Sequence, residues 1–363
     1  MDYATVTGGE WSTRNRDGNR QHAVTTVQCI IARIGIAGSV LLASSACAVA
    51  PSVLRPASEP ARQVSVLQWW LIGISLAVCA IIAVLLLIPL RRRVRTVADA
   101  PVTGGGSTTP IIVGIVLSAA IMVAVFIYSA VVLSADAAPA RTTTLTVRVT
   151  GHRWWWEVQY LPVGASDSSG IVTTANEIHI PVGEPVRILA TSADVIHDFW
   201  VPRLQGKVDL NPGETNAFWI RADSAGRYRG QCAEYCGVQH AHMIIWVVAQ
   251  RRAEFEAWLA HERQPAESPT DSLAAQGLRA FRSAPCVACH TVRGAGVGGR
   301  LGPDLTHIAS RLTIGAGTLT NTPGNMAGWI VNAQALKPDV AMPRLDLDPA
   351  TMRRILAYLE TLN

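Results

Sequence analysis

Two uncharged apolar runs, Trp69–Leu90 and Pro110–Leu133, constrain this chain more than any other feature. At about 1.5 Å per helical residue, each is long enough to cross about 30 Å of hydrocarbon. Uncharged runs of this length seldom occur in soluble cores, so both are expected to be transmembrane helices. Trp69 and Trp70 open the first run in an interfacial position, and Arg91, Arg92, Arg93 and Arg95 follow it. That cluster puts the intervening loop, with its Gly/Thr-rich stretch 104–109, in the cytoplasm. Everything before the first span and after the second then lies outside. A mean hydropathy of +0.25 agrees with a lipid-bilayer protein. The net charge of +5 is concentrated in the arginine cluster, which is a topology signal, so no nucleic-acid partner is expected.

Upstream, residues 1–28 are polar and without apolar periodicity, as in a disordered segment. Arg33, the apolar run from Ile34 to Ala50 and its small-residue end describe a signal peptide. Residues 1–50 are therefore a disordered N-terminus plus signal peptide, and 51–136 the two-helix membrane anchor. Cys47, which follows small residues, leaves lipid attachment and simple cleavage nearby both open.

Beyond Arg141 the pattern changes to short strand-like segments, at Thr142–Thr150, Glu177–Ile180, Pro185–Thr191, Ala217–Ile220 and Met243–Ala249. Turn residues such as Asn211-Pro212-Gly213 separate them. This predicts an all-β antiparallel sandwich or barrel, closed by a short helix over Ala253–His261. The domain spans 141–262, a polar Pro-bearing linker 263–272, and a second exported unit 273–363. The last unit opens on a helical pattern (Leu273, Leu278, Phe281) and closes on another (Met352, Ile355, Leu356, Leu359).

Of seven cysteines, four form two tight pairs, too few for an exported disulfide framework. Cys29 and Cys79 read as small apolar residues. Cys232, Cys236, His240 and Met243 place two thiolates, an imidazole and a thioether within twelve residues. Zinc gains nothing from a thioether, whereas electron-transfer copper uses thiolate, imidazole and a weak methionine. Two cysteines on one loop can set both sulfurs between two metals. The loop supplies one certain histidine, and His197, at the end of a predicted strand, is the best second. His242 reads as a polar neighbour, and His152, His179 and His261 as surface or hydrogen-bonded residues.

The loop pattern C-x-E-x-C-x3-H-x2-M resembles cytochrome c oxidase subunit II, a family with a cupredoxin-like Greek-key copper domain. The resemblance implies a binuclear CuA centre bridged by Cys232 and Cys236. Its terminal ligands would be His197 and His240, with Met243 weak. The carbonyl of Glu234 would also be a ligand, and its carboxylate would reach a possible magnesium shared with subunit I. Gly151-His152-Arg153-Trp154-Trp155-Trp156 resembles that family's aromatic run, which implies that electrons enter at Trp154 and leaves the other two as packing residues. Asp194 and Asp209 fall where the family carries acidic side chains that attract a cytochrome, and Ala193 replaces a neighbouring acid.

Cys286-Val287-Ala288-Cys289-His290 is a haem-attachment motif, with both thiols set for the haem vinyl groups and the histidine for iron. Met342-Pro343 follows about fifty residues later, and a thioether opposite histidine raises the potential. The unit resembles a small all-α class I cytochrome c. Gly277 and Phe281 match its first helix, Tyr358 its last, and Gly302-Pro303 the segment that holds the axial histidine. Met326 is the rival axial residue and lacks a following proline, while Met352 belongs to the final helix.

Together these resemblances imply subunit II of a bacterial plasma-membrane oxidase with covalent haem c fused at its C-terminus. Electrons would pass from cytochrome c or a cytochrome bc complex through haem c and CuA to haem a of subunit I. Subunits I and III would be partners, and oxygen reduction coupled to proton translocation would occur outside this chain. A CuA-bearing nitric oxide reductase subunit and a membrane-tethered electron carrier without a catalytic partner are the alternatives.

Overall fold

The computed structural model describes residues 51–91, 107–137, 143, 145–162 and 170–363. The expected disordered segment, the signal peptide with Cys47, Cys29, the arginines 92, 93 and 95 and the start of the glycine loop lie outside these residues.

Helix α1 spans Glu59–Arg91 and α2 spans Thr109–Ala137. Both are long and apolar enough to cross a membrane. Large apolar side chains on them face outward, among them Leu85 and Phe126, which are 61% and 73% exposed. A helix apolar on all sides needs lipid or other helices around it. Cys79 is exposed on α1. The first helix begins ten residues before the expected span. The extension is polar and is tied to the β domain. Ser58 Oγ donates to the Leu204 carbonyl, Asp223 N donates to the Ala57 carbonyl at 2.9 Å, and Arg62 pairs with Asp223 at 2.7 Å. Hydropathy does not mark these residues, because their role is attachment.

Among the described residues ten strands follow: β1 Leu145–His152, β2 Trp155–Leu161, β3 Val172–Ala175, β4 Glu177–Pro181, β5 Val186–Ser192, β6 His197–Trp200, β7 Val208–Leu210, β8 Asn216–Ile220, β9 Gly226–Cys232 and β10 Ile244–Gln250. They form two five-stranded sheets, β3-β2-β1-β5-β8 and β4-β10-β9-β6-β7. The expected sandwich is present and its fold is cupredoxin-like. It is not wholly antiparallel, however. β1 runs parallel to β5 and β4 parallel to β10, because chain crossings between the sheets return a strand beside an earlier one in the same direction. Alternate residues of β1, β2 and β5 are buried, which is the period-2 pattern of a sheet with one covered face. Trp156, Ile178, Ile188, Phe199, Leu210 and Ile220 fill the space between the sheets. Each contributes about 1.5–3 kcal/mol by burial. Helix α3, Arg252–Glu262, closes the domain, with Phe255 buried beneath it and Trp258 stacked on His179 at 4.0 Å.

The C-terminal region is helical, with α4 Ser272–Ser283, the one-turn α5 Cys286–Cys289, α6 Pro323–Leu336 and α7 Pro349–Leu359. Asp271 and Asp348 cap α4 and α7 by accepting from backbone amides inside each first turn. Helices α4 and α7 cross in contact at Gly277, where an added Cβ would lie 1.9 Å from the Arg354 carbonyl oxygen. Phe281 and Tyr358 pack beside that crossing with ring centroids 5.7 Å apart. Two short ladders, β11–β12 over 291–298 and β13–β14 over 313–320, interrupt the expected all-helical pattern. Strands of two residues leave too little periodicity to read.

Candidate metal centre

Three segments converge at one end of the sandwich: the β1–β2 turn, the start of β6, and the loop between β9 and β10. Among the described residues, His197, Cys232 and Cys236 are the one cluster of His, Cys, Asp or Glu whose three ligand atoms lie within 4.8 Å of one another. All three are buried. His197 Nδ1 lies 3.9 Å from Cys232 Sγ, the two sulfurs are 3.7 Å apart, and Cys236 Sγ lies 3.8 Å from His240 Nδ1 and 3.9 Å from Met243 Sδ. The Glu234 carbonyl oxygen is 3.2 Å from Cys232 Sγ. Donors that share a metal at about 2.0–2.3 Å from each are separated by about this much. The residues present therefore fit a metal pair: two soft sulfurs in the middle and an imidazole at each end.

Local geometry explains the assembly. Gly151 lets His197 lie against β1, since a Cβ there would meet the imidazole at 2.7 Å. His197 Nε2 is hydrogen-bonded to Asp194 Oδ1 at 2.8 Å, which directs the lone pair on Nδ1 toward Cys232. The same carboxylate accepts from the Arg153 and Val195 amides. Asp194, whose side chain is part-exposed, thus acts as an orienting group for His197. Its spacing, three residues before His197, was the available signal. Asp209 is exposed and pairs in register with buried Asp198. Burial and the facing Asp209 carboxyl push Asp198 up to about 8. The Cys236 thiol beside it holds Cys232 well below the usual thiol range, while the Cys232 thiolate pushes Cys236 up. A metal relieves that opposition by taking both as thiolates.

The three tryptophans separate by environment. Trp156 is fully buried in the core, and Trp155 stacks on His152 at 4.3 Å. Trp154 sits in the β1–β2 turn, 7% exposed, and its indole Nε1 donates to the Cys236 carbonyl at 2.9 Å. Gly237, at φ +115°, permits this contact, because a Cβ would stand 2.9 Å from the indole. The remaining sequence candidates lie outside the donor set. His242 bonds to Gln239, His179 to Gln250 and His261 to the Asn363 carbonyl. Glu234 is exposed, and its carboxylate accepts from the Tyr235 amide.

In the helical region Cys286 and Cys289 occupy one helical turn, and the His290 amide bonds to the Cys286 carbonyl. His290 Nδ1 donates to the Pro303 carbonyl at 2.8 Å, which leaves Nε2 as the lone-pair nitrogen. Gly302 packs against that ring, since a Cβ there would stand 2.7 Å from the imidazole. These features fit a covalently attached haem. Met342 is half-buried on the loop after α6, and its carbonyl accepts from Gln334 at 2.8 Å. Met326 is packed in the helical core.

Residues 145–250 match the family of the cytochrome c oxidase subunit II periplasmic domain, and residues 274–363 match the cytochrome c family. The first family implies CuA copper and the second haem c. Cytochrome c oxidase subunit 2 of Alkalihalophilus pseudofirmus is 39% identical over 220 residues, 60% of this chain and 61% of its own length. Its counterpart in Bacillus subtilis is 30% identical over 203 residues, 53% of this chain and 55% of its own. The chain thus spans somewhat over half the length of these curated relatives. The solved periplasmic domain of cytochrome oxidase subunit II from Bradyrhizobium japonicum is 31% identical, covers 34% of this chain and 95% of its own, and has a TM-score of 0.31.

Proposed function

The chain joins a domain of the cytochrome c oxidase subunit II family to a cytochrome c domain, and from that premise we propose that it carries electrons into a membrane-bound terminal oxidase. The observation that carries this reading is the continuous run of donors from His197 through Cys232 and Cys236 to His240. When bound, a copper pair there and a haem on the C-terminal domain each supply a one-electron site. Cys232 and Cys236 would hold the metals through their sulfurs, with His197 and His240 as terminal ligands, Met243 as a weak one and the Glu234 carbonyl as a further ligand. The burial of His197, both cysteines and Met243 excludes water, which keeps reorganisation on electron transfer small.

Cys286 and Cys289 would attach a haem, and His290, with Nδ1 held by the Pro303 carbonyl, and Met342 would be the residues to ligate its iron. Trp154 receives the electron on the copper side, through the indole that bonds to the Cys236 backbone. The order is external donor, haem c, copper pair, then haem a of a partner subunit I, with subunit III in the same complex. Cytochrome c or a cytochrome bc complex is the donor. Reduction of oxygen to water and proton translocation belong to the partner. A magnesium at the exposed Glu234 carboxylate would draw its other ligands from subunit I.

The protein is membrane-anchored, with a periplasmic domain. In the proposed organisation residues 51–136 cross the bacterial plasma membrane twice, with 141–262 and 273–363 outside. Oxygen uptake by the purified complex with reduced cytochrome c tests the reading. Uptake that requires intact Cys232 supports it, and nitric oxide consumption without oxygen uptake contradicts it.

A further inference from the structure

The β domain and the haem-binding domain meet at a buried lysine. Lys337 follows α6 on the haem-binding side and is 1% exposed. Its Nζ donates to three backbone carbonyls: Trp154 at 2.8 Å, His242 at 2.7 Å and Gly315 at 2.9 Å. Two belong to the copper domain and one to its own domain. An ammonium has three donors, and here all three are used. Burying that charge without partners is costly, so three carbonyls arranged around it amount to a built site. Burial pushes the amine down to about 7. The charged form is nevertheless the one that fills all three acceptors.

The same seam carries further hydrogen bonds from backbone amides, including one from Thr313 to Glu177 Oε1 at 3.3 Å. The Ile244 amide donates to the Ala316 carbonyl at 3.0 Å, and the Leu312 amide donates to Glu177 Oε1 at 2.6 Å. Gly317 packs on Ile244 so closely that a Cβ would stand 2.4 Å from the Ile244 Cβ. The linker is also strapped down: the Ala266 amide bonds to the Arg293 carbonyl, and Arg293 reaches the Glu262 and Arg263 carbonyls.

The composition makes the lysine conspicuous. Of 31 basic residues only Lys207 and Lys337 are lysines. A planar guanidinium suits a carboxylate fork, whereas three converging carbonyls need a compact tetrahedral donor. The residue also has a strategic location. Lys337 bonds to the backbone of Trp154, whose indole bonds to Cys236, and it lies five residues before Met342.

We propose that Lys337 is a positioning residue for electron transfer, locking the haem-binding domain onto the Trp154 turn and the copper loop through its three carbonyl contacts. This rests on the reading of the chain as a haem-to-copper relay, but the lock itself can be tested without electrons.

The test uses the full-length membrane protein. Amine acylation of the native protein, followed by peptide mass spectrometry, compares the two lysines. Exposed Lys207 should react at the rate of a free amine and Lys337 at least about tenfold more slowly. Equal reactivity would overturn the lock, and this arm needs no variant. Lys337→Met keeps the unbranched stem and removes the donors. In it the Leu312 amide should exchange hydrogen about tenfold faster, and haem-to-copper electron transfer after a reducing flash should slow by about tenfold or more, with both metal centres still bound and both spectra retained. Unaltered exchange and an unaltered transfer rate would contradict the proposal. A chain that shows the lock but binds neither metal pair nor haem would instead sink the relay reading alone.

Discussion

The indole Nε1 of Trp154 donates to the backbone carbonyl of Cys236 at 2.9 Å, joining the turn between β1 and β2 to the loop that carries both bridging cysteines. One end of Trp154 therefore touches the copper loop, and the other accepts from the haem-binding domain. Trp154→Phe keeps an aromatic ring and removes the donor. It should leave the copper spectrum in place, slow electron arrival at the copper pair, and cost about 1–3 kcal/mol by leaving a buried carbonyl unpaired. Flash-induced reduction kinetics and thermal unfolding check both effects.

Asp194 orients His197 through Nε2. Replacing a group that fixes a metal-bound histidine typically lowers metal affinity by about 10–100-fold. Asp194→Ala should do so here, read as copper retained against a competing chelator. Asp194→Asn keeps an acceptor and should lose less.

Gly277 permits the α4–α7 crossing, with 1.9 Å between an added Cβ and the Arg354 carbonyl oxygen. Backbone cannot yield as a flexible side chain can. Gly277→Ala should destabilise the haem-binding domain by about 3 kcal/mol or more, beyond ordinary overpacking. At about 4–8 °C per kcal/mol for a domain of this size, calorimetry would show a large fall in its transition.

Met342 and Met326 are separated by their surroundings. Met342→Ala should lower the haem potential by on the order of 0.1 V or more, since axial ligation sets it over about 0.8 V. Met326 packs in the helical core. Met326→Leu should leave the potential alone and cost under about 1.5 kcal/mol. A spectroelectrochemical titration of both variants distinguishes them.

The parts that were legible in the sequence are those with a short period or a fixed spacing. Apolar runs gave the two membrane helices, alternation gave the β strands around Thr142–Thr150 and Pro185–Thr191, and one loop held four of the donor side chains. His197 is read from its place near the strand-like segment Pro185–Thr191, but it opens β6 after the turn and does not end a strand. What stayed hidden depends on contacts distant in sequence. The polar start of α1 has no hydropathy signal, although Ser58 and Arg62 fasten it to the β domain. The parallel pairing of β1 with β5 follows from chain crossings between sheets, which alternation does not encode. The orientation of Asp194 is set by a histidine and two amides. The linker shows only polar residues and prolines in the sequence, yet the Ala266 amide bonds to the Arg293 carbonyl and the Arg293 guanidinium to the Arg263 carbonyl. Lys337 sits at the end of α6 before a proline, and only the three carbonyls around it reveal its burial.

The central claim is a two-metal copper site on His197, Cys232, Cys236, His240 and Met243. The most direct measurement is metal analysis with a near-infrared spectrum of the purified protein, for the wild type and for Cys232→Ser. The account predicts two coppers per covalent haem and a near-infrared band in the wild type. In Cys232→Ser that band should be lost while the haem spectrum stays intact. A zinc or a single copper in the wild type, or a band that survives in Cys232→Ser, would contradict it.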